Sequence, residues 1–137
     1  NNTYDGGTVL SGGTLNVDSP TAIGTGPLTV AGGTTLNNTS GGAVTLTTNN
    51  AQTWNGSFTF TGSNALNLGT GAVALAATPT VTVTASTLTV NGDVGGGFGL
   101  AKAGAGTLSL GGNHTYTGTT TLNGGTLQYA GPTATAG

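Results

Sequence analysis

Short alternations of apolar and polar residues recur along this chain and constrain its fold more than any other feature. Examples are Leu-Thr-Val at residues 28–30, Phe-Thr-Phe at 58–60 and Leu-Thr-Val at 88–90. Period-two alternation that is rich in β-branched residues and bounded by Gly, Asn and Ser is typical of half-buried strands. No segment has a sustained helical period of apolar residues, so the sequence predicts an all-β protein.

The spacing of these strands distinguishes between a sandwich, a barrel and a solenoid. Sandwich strands are longer, carry charged outer faces and are separated by turns about 8–12 residues apart. Here neighbouring strands often begin seven or eight residues apart, as at Leu28, Leu36 and Val44. Three such strands would form a coil of about 20–23 residues, with each strand paired to its equivalent one coil away at about 4.8 Å. We therefore predict a parallel β-helix, or β-solenoid, of roughly six coils.

The alternation also predicts which side chains fill the interior of the coils. Apolar residues at alternate strand positions should point inward and stack along the axis. The threonines between them should form outward ladders, because β-branched side chains suit a pleated surface and their hydroxyls can pair. The inward residues are Leu15, Val17, Leu28, Val30, Leu66, Leu68, Leu88, Val90, Leu108 and Leu110.

The composition excludes several classes of function. Gly occupies 28 of the 137 positions, Thr is still more frequent, and charged residues supply only 3%. One Lys and no Arg cannot provide the basic surface that binding to nucleic acid requires. The chain has no cysteine for a disulfide or a thiolate metal site, and no apolar run long enough to cross a membrane as a helix.

The two ends of the chain repeat each other. When residues 113–137 are placed on residues 1–25, an offset of 112, 13 of the 25 positions are identical, including Tyr4 with Tyr116. A fixed internal period is the signature of repeat architectures. We therefore interpret residues 1–137 as one solenoid segment whose last part begins the next copy of a 112-residue super-repeat.

A longer motif covers residues 99–127. It reads G-L-A-K-A-G-A-G-T-L-S-L from residue 99, and continues with Tyr-x-Gly at 116–118 and Gly-Gly-Thr-Leu at 124–127. This pattern closely resembles the autotransporter-associated β-strand repeat, which is also called the passenger-associated transport repeat. Residues 1–15 are similar to the second half of the same repeat.

The resemblance implies a right-handed parallel β-helix within a secreted bacterial surface protein, at the cell surface or outside the cell. Ala103 stands where the repeat usually has Thr, and His114 stands where it usually has Asn. The implied role is a non-catalytic structural segment of a stalk, an adhesin passenger or a filament. Its partners would be identical units or adjoining repeats joined end to end, with surface glycans as a further partner.

Few side chains could carry out acid–base chemistry: Asp5, Asp18, Asp93, Lys102 and His114. Hydrolysis by paired carboxylates needs two acids about 5–9.5 Å apart, and Asp5 and Asp18 could approach each other across part of a coil. Isolated aspartates in turns more commonly accept backbone N–H bonds. Lys102 belongs to the repeat motif, where it would cap carbonyl groups at a coil edge. The sequence therefore predicts no catalytic residue and no enzyme.

The sequence also offers too few ligands for a metal ion and no clear platform for a sugar. The Gly-rich segment 91–97 has one carboxylate, whereas calcium takes about six to eight oxygen ligands. His114 has no second His and no Cys with which to bind zinc. Trp54, Phe58, Phe60 and Phe98 could form a strip for sugar stacking, but the spacing of the first three is more typical of a core. We predict no metal site and no cofactor.

A binding module is the alternative to a structural segment. Flat Thr-x-Thr arrays on β-solenoids match the spacing of ice, and this chain has such runs at residues 45–47, 59–61, 80–84 and 87–89. The starts of these runs are irregularly spaced, so only the runs that begin at 59 and 80 lie one predicted coil apart and would align. The alternative function is therefore binding of ice or carbohydrate on a Thr-rich face.

Overall fold

The computed structural model describes residues 1–131, and within them the chain forms sixteen short strands and no helix. The strands are two to four residues long, because turns that contain Gly, Asn or Ser interrupt the chain after one or two inward-pointing side chains. In chain order the strands are β1 (Thr8–Leu10), β2 (Thr14–Asn16), β3 (Leu28–Val30), β4 (Thr34–Asn37), β5 (Val44–Thr45), β6 (Gln52–Trp54), β7 (Phe58–Phe60), β8 (Leu66–Asn67), β9 (Val73–Leu75), β10 (Thr80–Val83), β11 (Thr87–Val90), β12 (Val94–Gly95), β13 (Leu100–Ala103), β14 (Thr107–Leu110), β15 (Thr120–Leu122) and β16 (Thr126–Tyr129).

The strands form three parallel sheets, which are the three faces of a solenoid. Each strand pairs in parallel with strands one coil away and not with its neighbour in sequence. A bridge between Val94 and His114 extends the first face by one more coil. Face 1 consists of β1, β3, β6, β9 and β12; face 2 of β2, β4, β7, β10, β13 and β15; and face 3 of β5, β8, β11, β14 and β16.

The register of the paired strands shows that the coils differ in length. On face 1, Thr8 pairs with Leu28 and Leu28 pairs with Gln52, so the second of these coils is longer than the first. On face 3, Thr107 pairs with Thr126, which gives a shorter coil than either. The predicted β-solenoid of about 6 turns is confirmed. Its shortest and longest coils lie slightly outside the predicted interval, because the turns, and not the paired strands, absorb the differences.

Inward-pointing side chains form one apolar core along the solenoid. Nine of the ten residues predicted to point inward are at most 1% exposed, which confirms the alternation. The exception is Leu15, which is half-buried because its strand, β2, is paired only with β4. The largest buried apolar side chains, Trp54 and Phe60, lie in the middle of the stack. The bulkiest side chains of the core therefore lie near the centre of the stack and not at its ends.

A column of glycines lets successive turns approach closely where the chain leaves face 3. A Cβ atom on Gly92 would collide with the carbonyl oxygen of Gly71, and one on Gly112 would collide with the carbonyl of Gly92. Gly131 stands against the carbonyl oxygen of Gly112 in the same way. Glycine therefore has two roles here: it adopts the backbone conformations that tight turns need, and it lets the backbone of one turn pack directly against that of the next.

Candidate functional site

Two of the three aspartates hold the neighbouring coil through its backbone. Asp18 accepts hydrogen bonds from the backbone N–H and the hydroxyl of Thr39, each at 2.6 Å. Asp93 accepts the backbone N–H of Asn113 at 2.8 Å. Both carboxylates act as the sequence predicts for turn aspartates, and Asp5 lies exposed. Asp18 and Asp93 therefore connect successive coils.

Lys102 lies inside the solenoid. Its side chain is 0% exposed and occupies an inward position of β13. The Nζ atom donates hydrogen bonds to the carbonyls of Ala103 at 2.7 Å, Gly104 at 2.9 Å and Gly124 at 3.1 Å. Burial lowers the pKa of the Lys102 ammonium group. Lys102 does cap carbonyls as predicted, but the predicted location at a coil edge is wrong, because the side chain turns inward and joins two successive turns.

Three of the four aromatic residues considered for sugar stacking belong to the core, and the fourth, Phe98, is 43% exposed. Trp54, Phe58 and Phe60 are at most 2% exposed. The rings of Trp54 and Phe58 meet edge to face, with centroids 5.0 Å apart. The indole N–H donates to the side-chain oxygen of Gln52 at 3.1 Å, which satisfies its one polar group inside the core. These three rings therefore offer no surface to a sugar.

A cluster of His114, Tyr116 and Tyr129 lies on the last described coil. The imidazole centroid is 5.4 Å from the ring of Tyr129 and 6.5 Å from that of Tyr116. The two tyrosine hydroxyls are hydrogen-bonded at 2.8 Å, and burial, as the largest cause, raises the pKa of Tyr116 to about 12. Both nitrogens of His114 are buried without a hydrogen-bond partner among residues 1–131. The partners of the imidazole are phenol rings and not the serine and carboxylate of a catalytic triad.

Face 2 carries a column of outward-facing threonines. Thr14, Thr35, Thr59 and Thr82 pair one above the next along β2, β4, β7 and β10. A shallow depression of about 280 Å³ is lined in part by this column and by Thr80. The predicted alignment of the runs that begin at 59 and 80 is confirmed with a shift of two residues. Thr59 pairs with Thr82 and Phe60 with Val83, inside the run 80–84, because that coil is two residues longer than the separation of the two starts.

Sequence reasoning missed the burial of Lys102 and the register of the Thr column. The pattern Leu100-x-Lys102 could have revealed the first, since Lys102 shares the inward phase of Leu100. The register has no such signal, because it depends on the lengths of turns.

Metal and membrane features are absent from the part of the chain that the structure describes. Residues 1–131 contain no group of three His, Cys, Asp or Glu side chains that could hold a metal ion. Nor do they contain a helix of the length and apolarity needed to span a membrane.

The fold and the polar groups together define a repeat β-solenoid whose hydrogen-bonding side chains connect one coil to the next. Residues 1–17 and 100–128, about a third of the chain, match the family described as the passenger-associated-transport-repeat. The resemblance found in the motif at 99–127 is thereby confirmed. No curated protein and no solved structure matches the chain.

Proposed function

We propose that the chain is a non-catalytic structural segment in the passenger of a secreted bacterial surface protein, located at the cell surface or outside the cell. The match to the passenger-associated-transport-repeat at both ends of the stack is the observation that carries this proposal. The polar side chains support it: Asp18, Asp93 and Lys102 each bond to the backbone of another coil. Because these charged groups hold successive coils together, they fit a structural role better than a catalytic one.

Export in a bacterial host tests this function. The chain is expressed between a secretion signal and a translocator barrel, with an epitope tag at its amino end, and antibody binding to intact cells is measured. The tag should appear on the cell surface. Leu108→Asp, which places a charge in the core, is the matched control for a misfolded passenger. Retention of the wild-type chain inside cells, in a folded state, would contradict the proposal.

The same function includes stacking of coils end to end between adjoining repeats or identical units. Among residues 1–131, β1 and β2 at one end, and β15 and β16 at the other, are each paired on one side only. Unpaired strand edges favour pairing with further strands, and a net charge of −2 provides little repulsion against it. Light scattering and electron microscopy should detect elongated particles. A stable monomer with both end coils exposed to solvent would argue against stacking between separate chains.

The Thr column on face 2 favours a second candidate, a surface that binds ice or carbohydrate. Neutral hydroxyls in a regular column beside a shallow depression could order water or contact a glycan. Micromolar protein should then show thermal hysteresis or bind on a glycan array. The double variant Thr59→Tyr/Thr82→Tyr should abolish the effect, whereas Thr107→Tyr on face 3 should not. Normal freezing, together with an empty array, would eliminate this candidate.

A further inference from the structure

The super-repeat relates two segments that lie on different faces of the solenoid. Tyr4 and Tyr116 are equivalent at the offset of 112, and each hydroxyl is hydrogen-bonded to the Thr four residues later, Thr8 and Thr120. Yet β1 lies on face 1 and its equivalent β15 on face 2, while β2 lies on face 2 and its equivalent β16 on face 3. One copy of the super-repeat therefore advances the chain by five coils and one further face. The structure follows this overlap as far as residue 131, so the Pro-Thr-Ala match at 132–134 lies outside the described residues.

Equivalent apolar side chains are covered in the first copy and open in the second. Leu10 in β1 is 7% exposed, because β3 pairs with its strand, whereas its equivalent Leu122 in β15 is 54% exposed. Val17 is 0% exposed, and its equivalent Tyr129 is 52% exposed. The open edge of β15 and β16 is therefore the edge that β3 and β4 cover in the first copy.

Backbone N–H groups that are hydrogen-bonded to a covering strand in the first copy also have equivalents on the open edge of the second. In the first copy the N–H of Thr8 donates to the carbonyl of Pro27 at 2.8 Å, and the N–H of Val17 donates at the same distance to the last residue of β4. The equivalent donors on the open edge are the N–H groups of Thr120 and Tyr129. A covering coil of the same kind would supply both acceptors.

His114 adds a side chain to this set. Its equivalent is Asn2, whose side-chain amide donates to the carbonyl of Ala22 in the segment that covers residues 1–5. Thr25 also donates its backbone N–H to this region. The buried nitrogens of His114 have no partner among residues 1–131. A segment equivalent to residues 20–26 would bring a carbonyl acceptor to the imidazole.

We propose that the open edge of β15 and β16 is the docking site for a segment of the type of residues 20–37, supplied in the same chain by a second copy of the super-repeat. A strand like β3 would pair with β15 on face 2, and one like β4 would pair with β16 on face 3. This inference deepens the proposed structural function and rests on it. Successive copies are rotated by one face, and three copies return to the starting face. A Thr column on any one face is then limited to a single copy.

Two tandem proteins test the rotation. The rotated tandem joins residues 1–131 to residues 20–131, which continues the offset of 112. The control joins residues 1–131 to residues 27–131 and omits the length of one face, so that the β3 copy enters on face 1. In the rotated tandem, hydrogen exchange at the N–H groups of Thr120 and Tyr129 should slow by at least about 100-fold relative to residues 1–131 alone. The control should show less slowing, because the strands that then reach β15 and β16 are the copies of β4 and β5 and not those of β3 and β4.

Each other outcome overturns the inference. Equal or greater protection in the control would show that the copies are not rotated. Unprotected donors in both tandems, with circular dichroism still typical of folded strands, would show that the edge does not accept this segment. Protection that appears in residues 1–131 alone as concentration rises would identify a separate chain as the occupant. Export of the single unit in the surface-display experiment is independent of these results, so its success would leave the proposed function standing.

Discussion

At the scale of a residue, Lys102 shows how a charge can be held inside an apolar solenoid. Removing an ammonium group from water is unfavourable unless hydrogen bonds replace the lost hydration. Here three carbonyl oxygens do so, two from one turn and one from the turn of the next coil. Lys102 therefore connects two coils through groups that every turn possesses, without needing an acidic partner.

The lowered pKa of Lys102 makes stability depend on pH. Because burial lowers this pKa below its ordinary value of 10.5, the unfolded chain binds the proton more tightly, and the free energy of unfolding should rise as pH increases between the two values. Tyr116 acts in the opposite sense above pH 10, since its pKa is raised to about 12 in the folded chain. Urea denaturation measured up to pH 10 should show the rise, and Lys102→Met should remove it. A fall in wild-type stability over that range would contradict the sign.

Inward and outward positions of the strands should respond differently to substitution. Leu108→Asp should lower the free energy of unfolding by about 3–5 kcal/mol, because it buries an unpaired charge at a position that is 0% exposed. Thr82→Ala on the outer side of β10 should cost under about 1 kcal/mol. Denaturation followed by the fluorescence of Trp54 measures both. Equal losses would show that the outer ladder contributes as much as the core.

At the scale of an element, the sequence predicted strands wherever two apolar residues flank a polar one, as in β3 and β7. It did not predict β12, where Val94 is followed by glycine, or β6, where Gln52 takes an inward position that an apolar residue would mark. The sequence predicted that Asp18 and Asp93 accept backbone N–H bonds in turns, because short acidic side chains commonly do so. It did not predict that the donors, Thr39 and Asn113, lie on the neighbouring coil.

Two features of the candidate site were harder to predict, for different reasons. The inward phase of Lys102 is present in the alternation, but lysine is so rarely buried that a coil edge was the natural expectation. The alignment of the threonines has no local signal, because it depends on coil lengths that vary from one coil to the next. Whether a side chain points inward or outward can thus be predicted from its neighbours in the strand. The register between coils cannot, because it depends on the lengths of all the turns in a coil.

The glycine column should tolerate no side chain. Gly92→Ala should lower the free energy of unfolding by about 1–3 kcal/mol, because the new methyl group would overlap the backbone at Gly71. Gly97→Ala is the matched control: nothing lies within 4 Å of the Cβ it would acquire, and a restricted unfolded chain would make its effect neutral or slightly stabilising. Chemical denaturation compares the two. The same loss at both positions would mean that glycine acts here through chain flexibility and not through close stacking.

At the scale of the whole molecule, each strand pairs only with the coils next to it, so stability should be distributed along the stack. Removing residues 113–137 takes away β15, β16 and the carbonyl of Gly124 that Lys102 binds. The remaining coils should stay folded, with unchanged emission from Trp54 and a lower midpoint of denaturation. Loss of the β-type circular dichroism spectrum on this truncation would instead show that the solenoid folds as one indivisible unit.

The burial of Lys102 also determines how susceptible the folded chain is to trypsin-like proteases. Trypsin-like proteases cleave after Lys or Arg, and Lys102 is the one such residue in the sequence. It is 0% exposed, in a strand paired on both sides, and cleavage requires an accessible, locally unfolded backbone. Native protein should therefore stay intact in trypsin, whereas protein unfolded in urea should yield two fragments by mass spectrometry. In the proposed role outside the cell, where no chaperone repairs damage, the lifetime of the chain would then be set by the rate at which coils separate and not by the number of cleavage sites.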